Sequence, residues 1–293
     1  MGTYRVEHVT EYRYSSAASS SLNHAHLTPR NGPYQVCLTS RLKIEPTPSV
    51  STIRPDYYDN TVMFFSVQEP HPSLRISVSS LVEVSRRPFP PPPSTAPWER
   101  ARRLLMMEAS PGSMAARQFV FESEMVPVRP DLAAYASRSF PPGRPILEAI
   151  IDLTERIRAE FAYDPRATSI STPVAEVLAL RRGVCQDFAH LMIGCLRSLG
   201  LAARYVSGYV LTRPPPGGRR LVGADASHAW VSVWVPGFGW IDADPTNAVL
   251  PSTEHITLAW GRDYADVSPL RGIVLGGGVQ SLTVSVDVTP APG

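Results

Sequence analysis

Arg182-Gly183-Val184-Cys185-Gln186-Asp187-Phe188-Ala189-His190 is the stretch from which the rest of the chain can be read. Phe188, Leu191, Met192, Cys195, Leu196 and Leu199 fall at i, i+3, i+4, i+7, i+8 and i+11. That spacing buries one stripe of a helix running from Val184 to Leu199. Cys185 falls in its first turn, directly after Gly183, where unpaired backbone N–H groups and the helix dipole favour a thiolate. The same N–H groups are placed to hold an oxyanion on a substrate. Cys195 lies mid-stripe and belongs to the core. His190 is turned about 140° away from Cys185 round the helix, towards Gln186 and Arg197, and a structural or surface role is expected for it. Asp187 lies near the thiol.

A buried thiol alone is most often a small core residue, so the partner decides. Ser227-His228-Ala229-Trp230-Val231-Ser232-Val233-Trp234-Val235 alternates as a strand, with His228, Trp230 and Trp234 on one face. Pro236-Gly237-Phe238-Gly239 turns the chain, and Trp240-Ile241-Asp242-Ala243-Asp244-Pro245 returns. A three-residue loop sets Val235 opposite Gly239 and Trp230 opposite Asp244. His228 is then diagonal to Asp244 on one face, with Asp242 a step further away. Asp244 is thereby placed to orient one imidazole nitrogen while the other takes the thiol proton, which is what nucleophilic catalysis needs. Asp225 is the rival carboxylate, in a more flexible setting.

Around this centre the chain divides. Ile146, Ile150, Leu153, Ile157 and Phe161 predict a helix entered at Pro145. Thr172-Pro173 opens a shorter one that ends near Gly183. Strand patterns follow over 203–211, 227–235, 240–243 and 280–288, so helices precede strands and the class is α+β. Residues 2–86 alternate between turn signals, at Pro29-Arg30-Asn31-Gly32-Pro33, Asp59-Asn60 and Glu69-Pro70-His71-Pro72. They predict an all-β module, a small sandwich. Between the two lies 88–97, PFPPPPSTAP, which favours polyproline II and reads as a linker. The expected organisation is 1–87 β-rich, 88–97 linker and 98–293 catalytic, with a core at 146–247.

Composition narrows the classes of function. The chain has 293 residues, 28 basic and 26 acidic, for a net charge of +2, too little for a field that holds nucleic acid by its phosphates. All basic residues but Lys43 are arginine, throughout the chain. Three cysteines (Cys37, Cys185, Cys195) make no disulfide framework. No apolar run is long enough to span a membrane, and the N-terminus lacks an apolar leader. A reduced, cytoplasmic setting is expected, with no nucleic-acid or membrane partner. His24 and His26 have no cysteine or paired carboxylates beside them, so no metal or other cofactor is expected. Asp56-Tyr57-Tyr58-Asp59-Asn60 and Gly276-Gly277-Gly278 read as turns. The loop Arg213-Pro214-Pro215-Pro216-Gly217-Gly218-Arg219-Arg220 reads as a mobile connection, with a substrate lid as the alternative.

Four ordered motifs carry a resemblance. Gly183-Val184-Cys185-Gln186-Asp187-Phe188-Ala189-His190, Ala203-Arg204-Tyr205-Val206-Ser207-Gly208-Tyr209, His228-Ala229-Trp230, and Gly239-Trp240 with Asp244-Pro245-Thr246-Asn247 resemble the bacterial transglutaminase-like superfamily. The β-rich first 86 residues are similar to the N-terminal region found with that branch. The resemblance implies a papain-like α+β core with Cys185 as nucleophile, His228 as base and Asp244 as orienting carboxylate. Animal transglutaminases have Trp where Gln186 stands, and carry further β domains and calcium sites not found here. What is implied is therefore a thiol enzyme on peptide or protein amides, hydrolytic by preference, with acyl transfer to an amine as the alternative. A binding module without catalysis is the reading from another class; it predicts loss of a triad member, and all three are present.

Overall fold

The protein is described from a computed structural model over residues 1–211 and 227–291. The first part is made of strands: β1 (Gly2–Ala25), β2 (Gln35–Glu45), β3 (Val50–Pro55), β4 (Thr61–Val67) and β5 (His71–Val84). Helices α1 (Trp98–Met107), α2 (Pro111–Ala116), α3 (Pro130–Ser137) and α4 (Ile146–Glu160) come next. The chain then runs through β6 (Ala162–Tyr163), α5 (Val174–Leu180), β7 (Arg182–Gly183) and α6 (Cys185–Ser198). It ends with β8 (Ala203–Val210), β9 (His228–Val235), β10 (Gly239–Ala243), β11 (His255–Gly261), α7 (Tyr264–Val267), β12 (Leu270–Gly276) and β13 (Gln280–Pro290).

β5 shows why the first part is a sheet. Leu74, Ile76, Val78, Val82 and Val84 are buried at every second position, while Arg75, Ser77 and Ser79 between them are only half-buried. The strands do not form the expected sandwich. They make one antiparallel sheet in the order β2-β5-β1-β4-β3, and no second sheet of their own covers it. The long β1 is paired along its other edge with β13 (His8 opposite Val286) and β12 (Leu22 opposite Ile273). The segment 270–290, grouped from sequence with the catalytic half, is therefore hydrogen-bonded into the N-terminal sheet. Tyr4, Val6, Val82, Val84, Val286 and Val288 share one core with α4, α6 and β8, so the second half supplies the missing layer.

The predicted helices correspond to α4, α5 and α6, and the predicted strands after them to β8, β9, β10 and β13. The proline-rich 88–97 is not extended throughout, since Pro92–Ser94 form a 3-10 turn, and the segment is docked. Ile146 N and Leu147 N at the start of α4 donate to Ala96 O (2.9 Å) and Thr95 Oγ1 (3.2 Å), serving orphan donors that Pro145 cannot cap. A four-stranded antiparallel sheet, β10-β9-β8-β11, holds α6 against one face. α6 is enclosed on more than the predicted stripe, since every residue from Asp187 to Arg197 is buried. Arg197 is tolerated there because it donates to Phe119 O, Ala203 O and Arg262 O.

Candidate active site

Cys185 is the first residue of α6, half-buried, and its position is fixed from both sides. On the entry side, β7 pairs in parallel with β6, so Gly183 lies opposite Tyr163. On the helix side, Asp187 Oδ2 accepts from Val184 N at 2.8 Å and from Thr168 Oγ1 at 2.6 Å, reaching back across the first turn. Burial raises the carboxyl of Asp187, and those two donors pull it back. A side chain at Gly183 has no room, because its Cβ would lie 2.6 Å from Asp187 Oδ2. The Gln186 amide donates to Ile170 O at 3.0 Å, tying the turn before α5 to the same point.

His228 opens β9, and the β9–β10 hairpin has the predicted register, with Val235 opposite Gly239 and Ser232 opposite Asp242. β10 ends at Ala243; Asp244 continues into a bridge with Val249. Its carboxylate meets His228 across the hairpin, with Asp244 Oδ2 2.9 Å from His228 Nε2. Neither group is open to solvent. Asp244 Oδ1 accepts from Thr246 N at 2.9 Å and Asn247 N at 3.2 Å. Oδ2 also accepts from Asn247 Nδ2 at 2.8 Å and from His255 Nε2 at 3.0 Å. A buried carboxylate with this many donors keeps its charge. Burial by itself would raise it, but His228 and the bonds from His228 and His255 hold it far below the usual carboxylate range.

The second nitrogen of His228, Nδ1, has no partner at full hydrogen-bond geometry. Burial opposes the charge on the ring, whereas the Asp244 carboxylate and the adjacent Cys185 thiol favour it and together raise it well above the ordinary histidine value. The Cys185 thiol thus lies within interaction range of the ring. Cys185, His228 and Asp244 are therefore brought together, and Asp244 rather than Asp242 meets the histidine. Asp242 instead accepts from Trp230 Nε1 at 3.0 Å and pairs closely with Arg87. Asp225 and the loop 213–220 lie outside the described residues.

The other candidates sort by burial. His190 is buried, not at the surface, and its Nε2 accepts from Tyr264 N at 3.1 Å. Burial lowers it to about 4, with Asp263 opposing and Arg197 reinforcing that shift. Cys195 is enclosed in the core and burial drives its thiol up, and burial likewise raises the half-buried Cys37 on β2. His26 contacts Ser268 O and Asp56. Asp56 Oδ1 accepts from Tyr58 N and Asn60 N, so 56–60 is a turn, as is Gly276–Gly278 with its positive φ values.

His255 is the site residue that the sequence did not disclose. It is one histidine on β11, and only the pairing of β11 with β8 (His255 opposite Val210) carries it to Asp244. Its ring lies edge-on to Trp230, centroids 5.1 Å apart. Trp230 in turn fills the space over Gly208, where a Cβ would come within 2.4 Å of the indole. His228, Asp244 and His255 present donor atoms within 4.8 Å of one another, a spacing that suits a metal ion. Both ring nitrogens, however, already contact the same oxygen at hydrogen-bond distance. A zinc ion at about 2.0–2.1 Å from each would have to displace both protons. A cavity of about 400 Å³, lined by His8, Thr10, Met125, Ile170, Ser227 and Tyr264, opens beside this cluster between the N-terminal sheet and the second half.

Comparison with known proteins agrees with this architecture. Residues 4–83 match the bacterial transglutaminase-like N-terminal region and residues 134–245 match the transglutaminase-like superfamily. An uncharacterized protein of Mycobacterium tuberculosis is 46% identical over 302 residues, covering 99% of this chain and 93% of that protein. A protein-glutamine gamma-glutamyltransferase of Pseudomonas aeruginosa is 37% identical over 132 residues, 41% of this chain and 20% of its own length. The crystal structure of a proposed cysteine protease from Cytophaga hutchinsonii has the same fold, with a TM-score of 0.77 at 19% identity, covering 100% of this chain and 91% of that one.

Proposed function

Because the chain belongs to the bacterial transglutaminase-like superfamily, we propose that it is a thiol enzyme acting on amide bonds of a peptide or protein through an acyl-thioester on Cys185. The observation that carries this reading is the Cys185 thiol within interaction range of His228, whose Nε2 is anchored on the buried Asp244 while Nδ1 has no other partner. In the first half-reaction the Cys185 sulfur attacks the amide carbonyl while its proton resides on His228. The C–N bond breaks as the His228 imidazolium gives that proton to the leaving amine. Asp244 holds the ring in the orientation that keeps Nδ1 on the thiol, and its negative charge stabilises the imidazolium. The amide of Cys185, at the first position of α6, has no intrahelical acceptor and offers a donor to the developing oxyanion.

The second half-reaction depends on what reaches the thioester. Water gives an acid, and the enzyme is a protease or amidase. An amine gives a new amide. Hydrolysis is the preferred outcome, since Gln186 stands where animal transglutaminases have Trp and its amide is turned to Ile170 O, leaving the thiol without an indole wall. Acyl transfer is the second reading, favoured by the likeness of 41% of the chain to the Pseudomonas gamma-glutamyltransferase. Product analysis separates them. A glutamine-containing peptide library is incubated with the protein, with and without a tagged primary amine. Cleaved or deamidated peptide in both mixtures supports hydrolysis, tagged peptide supports transfer, and the absence of either product overturns the proposal.

A further inference from the structure

One cavity lies away from the thiol. It has a volume of about 810 Å³, and neither Cys185, His228 nor Asp244 lines it. It lies between the turn 30–35, the segment 87–90 and the faces of β8, β10 and β11. Its size matches the pockets that enclose small organic ligands, roughly 300–1,000 Å³.

The charged groups on its wall are Arg30, Arg87, Arg204 and Asp242. Two of the three cations are committed. Arg87 pairs with Asp242 and donates to Thr257 Oγ1 at 3.1 Å. Arg30 donates to Tyr58 O at 3.1 Å and to Asn60 Oδ1, and its charge faces Asp59 at 4.0 Å. Arg204 is only 8% exposed, yet it forms no hydrogen bond or ion pair with any described side chain, and its Nε is enclosed without an acceptor. Its guanidinium lies between two indoles, 4.1 Å from the Trp240 ring centre and 3.8 Å from that of Trp260. Trp260 also stacks on Arg30, at 3.5 Å. Contact with two indoles constrains the guanidinium, whose planar N–H fork suits a two-oxygen partner. A buried cation without a hydrogen-bond acceptor is costly, and a carboxylate supplies the acceptors that it lacks.

We infer that this cavity is a second binding site, for a small organic monocarboxylate with an apolar body, whose carboxylate is gripped by Arg204. One uncommitted guanidinium matches one negative charge, and Asp242 on the same wall disfavours a dianion such as phosphate. Phe89, Phe238, Trp240, Leu250 and Pro251 offer the apolar body its surface.

Calorimetric titration of the full chain tests this with 3-phenylpropionate and hexanoate, against 3-phenylpropanamide and inorganic phosphate. The two carboxylates are expected to bind saturably, and the amide and phosphate at least about ten-fold more weakly. Arg204→Gln is expected to cost the carboxylates at least about ten-fold. Phe238→Ala, at an exposed position on the rim, is expected to weaken 3-phenylpropionate more than hexanoate with no change in Tm. It carries the test if Arg204→Gln does not fold. Cys185→Ser is expected to bind both carboxylates as the parent does. The inference is overturned by no saturable binding up to about 10 mM, by equal binding of acid and amide, or by binding indifferent to both cavity variants. Binding lost in Cys185→Ser also overturns it, by moving the carboxylate to the thiol; failure here leaves the reading of the thiol site untouched.

Discussion

At the residue scale two aspartates that are two positions apart serve different partners. Asp244 accepts from His228 and His255, while Asp242 accepts from Trp230 and Arg87. Asp244→Asn should lower turnover by about 10³–10⁴-fold with the hairpin intact, because the amide no longer fixes the ring or stabilises its charge. Asp242→Asn should cost roughly ten-fold or less, and steady-state rates on one peptide amide rank the two. The same pair predicts a stability profile. His228 is raised in the folded state, so its contribution is fully present below about pH 6.5, the unfolded value, and is lost as pH rises through the higher folded value. Asp244 is lowered, so its contribution is present above about pH 4 and is lost on acidification. The Tm difference between the parent and Asp244→Asn should therefore be greatest between about pH 4 and 6.5 and shrink towards alkaline pH. A difference that went on growing above about pH 6.5 would contradict the pairing. Asp244 could be found from the sequence because a hairpin register is a short-range quantity, set by Pro236-Gly237-Phe238. His255 could not, because the turn at 245–248 does not fix where residue 255 lands, and its partner strand β8 lies 45 positions earlier.

At the element scale the thiol depends on how α6 begins. The Asp187 side chain closes the first turn on Val184 N, and Gly183 leaves it room. Asp187→Ala removes that cap and should cost about 1–2 kcal/mol, read as a lower denaturation midpoint with an unchanged m-value. Gly183→Ala forces the same carboxylate aside and should slow alkylation of Cys185 by iodoacetamide more than it lowers Tm. Alkylation at the parent rate would show that the thiol does not depend on this turn. The helix itself was legible because its apolar residues recur at three and four. Its enclosure on the remaining faces was not, since Asp187, His190 and Arg197 look like a solvated side until their partners, Val184 N, Tyr264 N and three carbonyls, are seen.

At the scale of the whole molecule the two ends of the chain are one sheet. The α+β class and the β-rich beginning follow from local periodicity. The destination of 270–290 does not, because the alternation in Ser281-Leu282-Thr283-Val284-Ser285-Val286 specifies a strand and not its neighbour. β13 lies along β1, and Val286 and Val288 share a core with α4 and α6. A fragment 98–293 should consequently expose two unpaired strands and an apolar face, and fail to give a cooperative unfolding transition; a well-folded, active fragment would show that the first sheet is an independent module. His8, which reaches Tyr209 Oη at 2.7 Å across the halves, is a milder probe of that union, and burial lowers it to about 4. His8→Phe should keep the fold and alter KM more than kcat, since His8 lines the cavity beside Ser227. The account as a whole turns on one covalent bond. Intact-mass spectrometry of the protein quenched in acid after mixing with a peptide-amide library should show an acyl adduct that peptide mapping places on Cys185, absent from Cys185→Ala and persistent when His228 is replaced by Gln only at much lower yield. No adduct, or an adduct on Cys37 or Cys195, would contradict it.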